Sequence, residues 1–144
     1  MGKFDFDVAI IGGGSAGYAT ARTTSAAGKR TVVIEGSESL GGLCILRGCM
    51  PTKALLHAAD IRFQAKRSNI WGMDPGEIGF DFSKVMQRKA DMVEEFASYR
   101  RGQLQDGRFE LIRGLAKFSD PNTLDINNTQ FIHFKTWSND DHTR

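Results

Sequence analysis

The chain has 144 residues, of which 19 are basic and 17 acidic, and its formal net charge is +2. This length suits one domain with a modest core, and 40% hydrophobic with 25% charged residues is ordinary for a soluble globular protein. The near-balance of charge argues against nucleic acid or an anionic membrane surface as a partner.

The sequence predicts a cytoplasmic protein. No apolar run approaches the length of a membrane span, and acidic residues and glycines stand near the N-terminus where a signal peptide would be apolar. In a reducing compartment a structural disulfide is disfavoured, so neighbouring cysteines more often indicate redox chemistry or metal binding.

The first 35 residues predict a βαβ unit. Phe6–Ile11 is a short apolar run that ends in glycines, as a buried strand does. Ser15–Ala27 is rich in small residues and is followed by Gly28, which predicts a helix closed by a glycine. Thr31–Glu35 is a second buried strand. Two strands joined by a helix predict a parallel sheet.

Two further helices are predicted in the middle of the chain. Ala54–Lys66 has no Gly or Pro, whereas the glycines and proline of residues 68–80 predict a loop. Phe82–Gln105 carries apolar residues at the helical period and is followed by Gly107.

The remainder predicts short strands separated by turns at Gly114 and at Pro121-Asn122. These strands are Arg108–Arg113, Leu115–Phe118, Thr123–Ile126 and Phe131–Phe134. Residues 135–144 show neither period and are predicted to form a polar tail without regular structure. The predicted fold class is α/β, a Rossmann-like parallel sheet with helices plus a small antiparallel β-meander.

A G-x-G-x-x-G motif stands between the first strand and the first helix. Gly12 permits a tight turn, Gly14 lets the backbone approach a pyrophosphate, and Gly17 lets the helix pack against the strand. The anion would then lie at the helix N-terminus, where N–H groups and the helix dipole favour it. The alternative is a glycine-rich turn with no ligand.

Glu35 favours the dinucleotide interpretation. It ends the second strand, 18 positions after Gly17, close to the spacing of about 20 at which an acidic residue binds a ribose. An acidic residue disfavours a 2′-phosphate and therefore NADP at this site. The alternative is a solvated glutamate, and the βαβ unit alone does not separate FAD from NAD.

Both cysteines of the chain lie in the segment GGLCILRGCMPTK. Cys44 and Cys49 are separated by four residues, which suits a redox-active disulfide loop and matches no usual zinc spacing. If Pro51 lies in the first turn of a helix, the helix dipole would stabilise a thiolate on Cys49. Lys53 would share a helical face with Cys49. The alternative is two cysteines that act as small hydrophobes.

Three segments together resemble one family. The glycine motif with Glu35, the segment GGLCILRGCMPTK and the segment GLAKFSDPNTLDI are similar to the N-terminal FAD domain of the pyridine nucleotide–disulfide oxidoreductases. Within that family the chain resembles the dihydrolipoamide dehydrogenase and mercuric reductase branch. The resemblance implies an enzyme that passes electrons from NAD(P)H through FAD to a Cys44–Cys49 disulfide and on to a dithiol or disulfide substrate.

The resemblance also implies a role for each matching residue. Cys44 would be the interchange thiol, Cys49 the thiol that faces the flavin, and Lys53 a neighbour of the reactive edge of the isoalloxazine. The implied FAD contacts are Gly12, Gly14, Ser15, Ala16, Gly17, Glu35, Gly41, Gly42, Lys53 and Ala116, and no metal ligand is implied.

The resemblance also sets an expectation about domains. It covers residues 5 to about 134, so residues 1–134 are expected to be the N-terminal portion of an FAD-binding domain. The NAD(P)-binding domain and the domain through which the family forms homodimers are expected to be absent. Where the family has a further strand with an Ala-Thr-Gly-Ser-like end, this chain has KTWSNDDHTR. A truncated fragment that is not active alone is therefore the first hypothesis.

Two other functions remain open. One is a non-catalytic FAD-binding remnant, or a module that needs a partner chain. The other is an NAD-linked dehydrogenase built on the βαβ unit, which would leave the cysteine segment without a role.

Overall fold

The computed structural model describes residues 4–140. Its strands are β1 (Phe6–Ile11), β2 (Thr31–Glu35), β3 (Glu110–Arg113), β4 (Ala116–Asp120), β5 (Thr123–Ile126) and β6 (Gln130–Asn139). Its α-helices are α1 (Ser15–Ala26), α2 (Gly42–Leu46), α3 (Cys49–Lys66) and α4 (Phe82–Leu104), with a short 3-10 helix at Ser68–Trp71.

The six strands form one sheet in the order β3-β2-β1-β6-β5-β4. The pairs among β3, β2, β1 and β6 are parallel, whereas β5 pairs antiparallel with both β4 and β6. The predicted class, a parallel sheet with helices and a small antiparallel meander, is therefore confirmed.

The two faces of the sheet bury separate apolar clusters. On one face, Val8, Ile10 and Val33 pack with Tyr18 of α1 and Leu104 of α4. The opposite face is covered by the meander, whose cluster consists of Ala9, Val32, Ile34, Leu124, Ile126, Ile132 and Phe134. Both faces of β1 and β2 are covered. For this reason their sequences are mostly apolar throughout and do not alternate between apolar and polar residues.

The predicted tail is wrong for Lys135–Asn139. These residues continue β6, and residues 136–139 pair in parallel with residues 8–11 of β1. Apart from the half-buried Ser138 their side chains are exposed, so the strand lacks the apolar period on which the prediction depended. Lys135 Nζ lies 2.7 Å from Asp7 Oδ1 of β1. The chain therefore forms a strand at the place where the family resemblance includes one, although its sequence there differs. Residues 141–144 lie outside the described part.

The segment before α3 is helical, which the sequence did not predict. Gly41 (φ +146°) and Gly42 (φ +75°) lead into the short helix α2, and Gly48 separates α2 from α3. Most amino acids avoid a positive φ, so the glycine pair makes this turn possible. The predicted start of the next helix at Ala54 is wrong by five residues, because α3 begins at Cys49.

Helices α3 and α4 pack against each other. Helix α4 begins after Asp81, whose carboxylate accepts the N–H of Lys84 at 3.2 Å and so caps the helix. None of the helices within residues 4–140 is long and apolar enough to cross a membrane.

Candidate functional site

The loop from β1 to α1 has the geometry that the glycine motif predicts. Gly12 has φ +95°, a value that favours glycine. A Cβ added at Gly17 would collide with the carbonyl oxygen of Gly12. Because only hydrogen fits there, α1 packs close to the end of β1, and the exposed Ser15 and Ala16 form the first turn of α1.

Glu35 lies beside this loop and is only 3% exposed. Its Oε2 accepts the N–H of Gly13 at 2.7 Å, and its Oε1 accepts the N–H and the hydroxyl of Ser37 at 2.8 and 2.7 Å. The alternative interpretation of Glu35 as a solvated residue is therefore wrong. A carboxylate accepts about four hydrogen bonds, so Glu35 retains capacity for a ligand hydroxyl.

The cysteine segment lies directly against the glycine loop. A Cβ added at Gly42 would lie 2.6 Å from Cα of Gly14, a separation that side chains do not tolerate. Gly42 opens α2, and Cys44 follows in the same helix. Gly41 is the residue before α2, where an added Cβ would press on Leu46 at 3.2 Å. The two motifs, separate in the sequence, therefore form one site.

Cys44 and Cys49 are both free thiols and interact with each other. The side-chain hydrogen bond with Cys49 raises the pKa of Cys44, and desolvation raises it further. The backbone of Cys49 and the charge of Lys53 act in the opposite direction without cancelling the rise. Cys44 is half-buried and Cys49, the first residue of α3, is exposed.

A cavity of about 550 Å³ opens at the carboxyl ends of β1 and β2. Of the predicted contacts it is lined by Gly12, Gly14, Glu35, Gly42 and Ala116. Clefts at the carboxyl ends of parallel strands are where ligands bind in open α/β sheets. Helix α2 contributes to the wall, so the cavity runs from Ala116 of β4 to the cysteine segment.

The other predicted contacts do not line the cavity. The described lining does not include Ser15, Ala16, Gly17, Gly41, Cys44, Cys49 or Lys53. For Cys44 the reason is visible in α2, where its neighbour Leu43 and Leu46 line the cavity instead. The structure thus brings Cys44 onto the helix that forms part of the cavity wall, but not into the lining itself.

Three residues of the site were missed from the sequence. Asp140 and Arg47 line the cavity, but Asp140 stood in the segment predicted to be a tail and Arg47 had no motif of its own. Arg100 of α4 stacks on the ring of Tyr18, with 4.3 Å from Cζ to the ring centroid. Burial lowers the pKa of its guanidinium, whereas the nearby Tyr18 and Cys44 act to raise it. Only the tertiary fold brings Arg100 near Cys44.

No three His, Cys, Asp or Glu side chains lie close enough to hold a metal ion within the described part. The ionisable groups of the site are instead the three carboxylates of Glu35, Glu38 and Asp140, two thiols and nearby cations. That set can bind a polar ligand and exchange a disulfide, because a thiolate is the nucleophile of thiol–disulfide exchange.

Comparison with known proteins identifies a family for this chain. The family model described as pyridine nucleotide-disulphide oxidoreductase matches residues 6–136. A dihydrolipoyl dehydrogenase of Bacillus subtilis is 33% identical over 117 residues, which are 81% of this chain and 24% of that protein. A mercuric reductase of Bacillus cereus is 34% identical over 130 residues, covering 90% of this chain and 20% of the relative.

A comparison with solved structures also finds a disulfide reductase. The HOCl-induced flavoprotein disulfide reductase RclA of Escherichia coli superposes with a TM-score of 0.71 at 30% identity. The match covers 92% of this chain and 27% of the RclA chain. The chain thus spans about a quarter of the length of the proteins that it matches.

Proposed function

The chain belongs to the pyridine nucleotide–disulfide oxidoreductase family, and we propose that it is the FAD-binding portion of a flavin-dependent disulfide oxidoreductase of the dihydrolipoamide dehydrogenase type. Members of this family use FAD and NAD(P)H. The proposal includes the division expected from the sequence, in which residues 1–134 are FAD-binding, and a reducing cytoplasm as the location that keeps paired thiols available.

One observation carries the proposal. Gly42 packs on Gly14 so closely that an added Cβ would lie 2.6 Å from Cα of Gly14. A phosphate-binding loop and a cysteine pair are separate features in the sequence, but this contact places α2, which carries Cys44, beside the loop. An NAD-linked dehydrogenase on the βαβ unit would need no such contact.

The residues fit the adenosine half of FAD. The exposed first turn of α1 offers the N–H groups of Ser15 and Ala16 to a phosphate. Glu35 has capacity for a ribose hydroxyl, and Ala116 lines the far end of the cavity, where an adenine would lie. When bound, FAD would supply a two-electron carrier between a nicotinamide dinucleotide and the cysteine pair.

The thiol chemistry belongs to the chain itself. The Cys44 thiolate attacks a substrate disulfide, forms a mixed disulfide and releases one substrate thiol. The Cys49 thiolate then attacks Sγ of Cys44, which releases the second substrate thiol and leaves a Cys44–Cys49 disulfide. The substrate disulfide gains two electrons and two protons, and the cysteine pair loses them.

The test combines flavin binding with electron uptake. The oxidised chain is saturated with FAD and titrated anaerobically with dithionite, beside a Cys44→Ser/Cys49→Ser variant at the same total FAD. We expect the native chain to take up about two more electrons than the variant. Equal uptake by the two FAD-loaded proteins would refute the proposal.

A further inference from the structure

The carboxylate of the residue that follows β6 lies at the centre of the glycine loop. Asp140, the residue after β6, is 3% exposed, and its Oδ2 accepts the N–H of Gly17 at 3.0 Å. A Cβ added at Gly12 would lie 3.1 Å from Cβ of Asp140, and one added at Gly14 would collide with Oδ2. Asp140 thus touches all three glycines of the motif.

Asp140 caps the N-terminus of helix α1. Gly14, at the N-cap of α1, provides no side-chain hydrogen bond, and the first turn of α1 has no acidic residue. A helix begins with N–H groups that lack an intrahelical partner and with the positive end of its dipole. The Asp140 carboxylate satisfies both, since it accepts the Gly17 N–H and brings a negative charge to that end.

The charges of the cavity make this arrangement adverse for a phosphate. Asp140 is joined in the cavity lining by the carboxylates of Glu35 and Glu38. The positive charges are those of Arg47 in the lining and of Arg100 in α4, which interacts electrostatically with Asp140. A phosphate at the first turn of α1 would therefore meet an anion already held there. Like charges brought close in a partly buried site disfavour each other more than they would in water.

We propose that Asp140 sets the affinity of this cavity for phosphate-bearing ligands, because it holds the anion position at the start of α1 and lowers binding of a pyrophosphate. This inference rests on the proposed function, in which the cavity takes FAD. Asp140 is an affinity-determining residue, and the ligand class that it selects against is a nucleoside diphosphate or its dinucleotide ester.

Two variants separate the charge from the cap. Asp140→Asn keeps an oxygen that can accept the Gly17 N–H but removes the charge, and Asp140→Ala removes both. We expect each variant to bind FAD and ADP at least about tenfold more tightly than the native chain, whereas adenosine, which has no phosphate, binds all three equally. Raised salt should narrow the difference, since salt screens charges.

Asp91→Asn is the matched control, because it removes one carboxylate from the exposed face of α4. FAD affinities of native, Asp140→Asn and Asp91→Asn chains are measured by quenching of flavin fluorescence. If Asp140→Asn binds FAD within twofold of the native chain, the inference is overturned and the proposed function stands. If no variant binds FAD or ADP at all, the proposed function fails and the inference fails with it.

Discussion

The carboxylate of Glu35 accepts the backbone N–H of Gly13 at 2.7 Å, which ties the end of β2 to the loop between β1 and α1. This contact joins the two parts of the dinucleotide motif through the chain's own hydrogen bond.

Removing that carboxylate should weaken the fold as well as the site. Glu35→Ala leaves the N–H of the buried Gly13 without a partner, which costs about 1–3 kcal/mol. Urea unfolding measures the loss, and Glu38→Ala, at an exposed neighbour, should change the free energy of unfolding by less than about 0.5 kcal/mol. Equal effects at the two positions would show that the Glu35 contact does not stabilise the loop.

The close approach of α1 to β1 predicts an asymmetric result for two Gly→Ala substitutions. Gly17→Ala should destabilise the chain by about 1–3 kcal/mol, because the new Cβ collides with the carbonyl oxygen of Gly12. Gly102→Ala in α4, where an added Cβ meets nothing within 4 Å, should stabilise it by about 0.5–1 kcal/mol. Thermal unfolding of both variants tests the pair, and a neutral Gly17→Ala would contradict the packing.

The thiol of Cys44 should react slowly at neutral pH. Its pKa is raised first by the hydrogen bond with Cys49, so its thiolate forms at a higher pH than that of an ordinary thiol, and alkylation accelerates as the pH rises through the raised pKa. Cys49→Ala removes the first cause and should move the midpoint of the alkylation profile to lower pH. The rate of labelling by iodoacetamide, followed from pH 6 to 11 or so by mass spectrometry, measures both profiles. Identical midpoints in the two proteins would show that Cys49 does not govern Cys44.

A proline substitution tests whether residues 135–139 extend β6. Thr136 pairs with Val8 of β1, so Thr136→Pro should remove a ladder hydrogen bond and cost about 2 kcal/mol or more. Thr136→Ala keeps the N–H and serves as the control. If both variants unfold at the same urea concentration as the native chain, residues 135–139 do not form the strand.

The bounds of helices and strands could be predicted where the apolar side chains follow the period of the element that forms. Phe6–Ile11, Thr31–Glu35 and Thr123–Ile126 were predicted with the bounds that the structure has, because their runs are apolar and bounded by turns. The helix Phe82–Gln105 was predicted to within one residue of α4, because its apolar stripe has the helical period.

The failures concern elements that leave no hydrophobic period in the sequence. Lys135–Asn139 forms a strand through backbone pairing with β1 while most of its side chains face solvent, and no hydrophobic period records such a strand. Asp140 is buried, but it was missed because it stood in the segment predicted to be a tail. Helix α2 is only five residues long, too short for a period to be read.

The contacts across the site could not be derived from spacing. The glycine motif, Glu35 and the cysteines were selected as candidates from their local patterns. That Gly42 packs on Gly14, and that Arg100 of α4 lies near Cys44, depends on long-range packing. The roles of the individual site residues remain predictions.

The measurement that tests the account most directly is competition for the cavity by the two halves of FAD. The chain, or Asp140→Asn if the native affinity is too low, is titrated with FAD in the presence of ADP or of FMN. Since the cavity runs from the glycine loop past Glu35 to Ala116, ADP should displace FAD and FMN should not. Displacement by FMN but not by ADP would contradict the assignment of the cavity to the adenosine half.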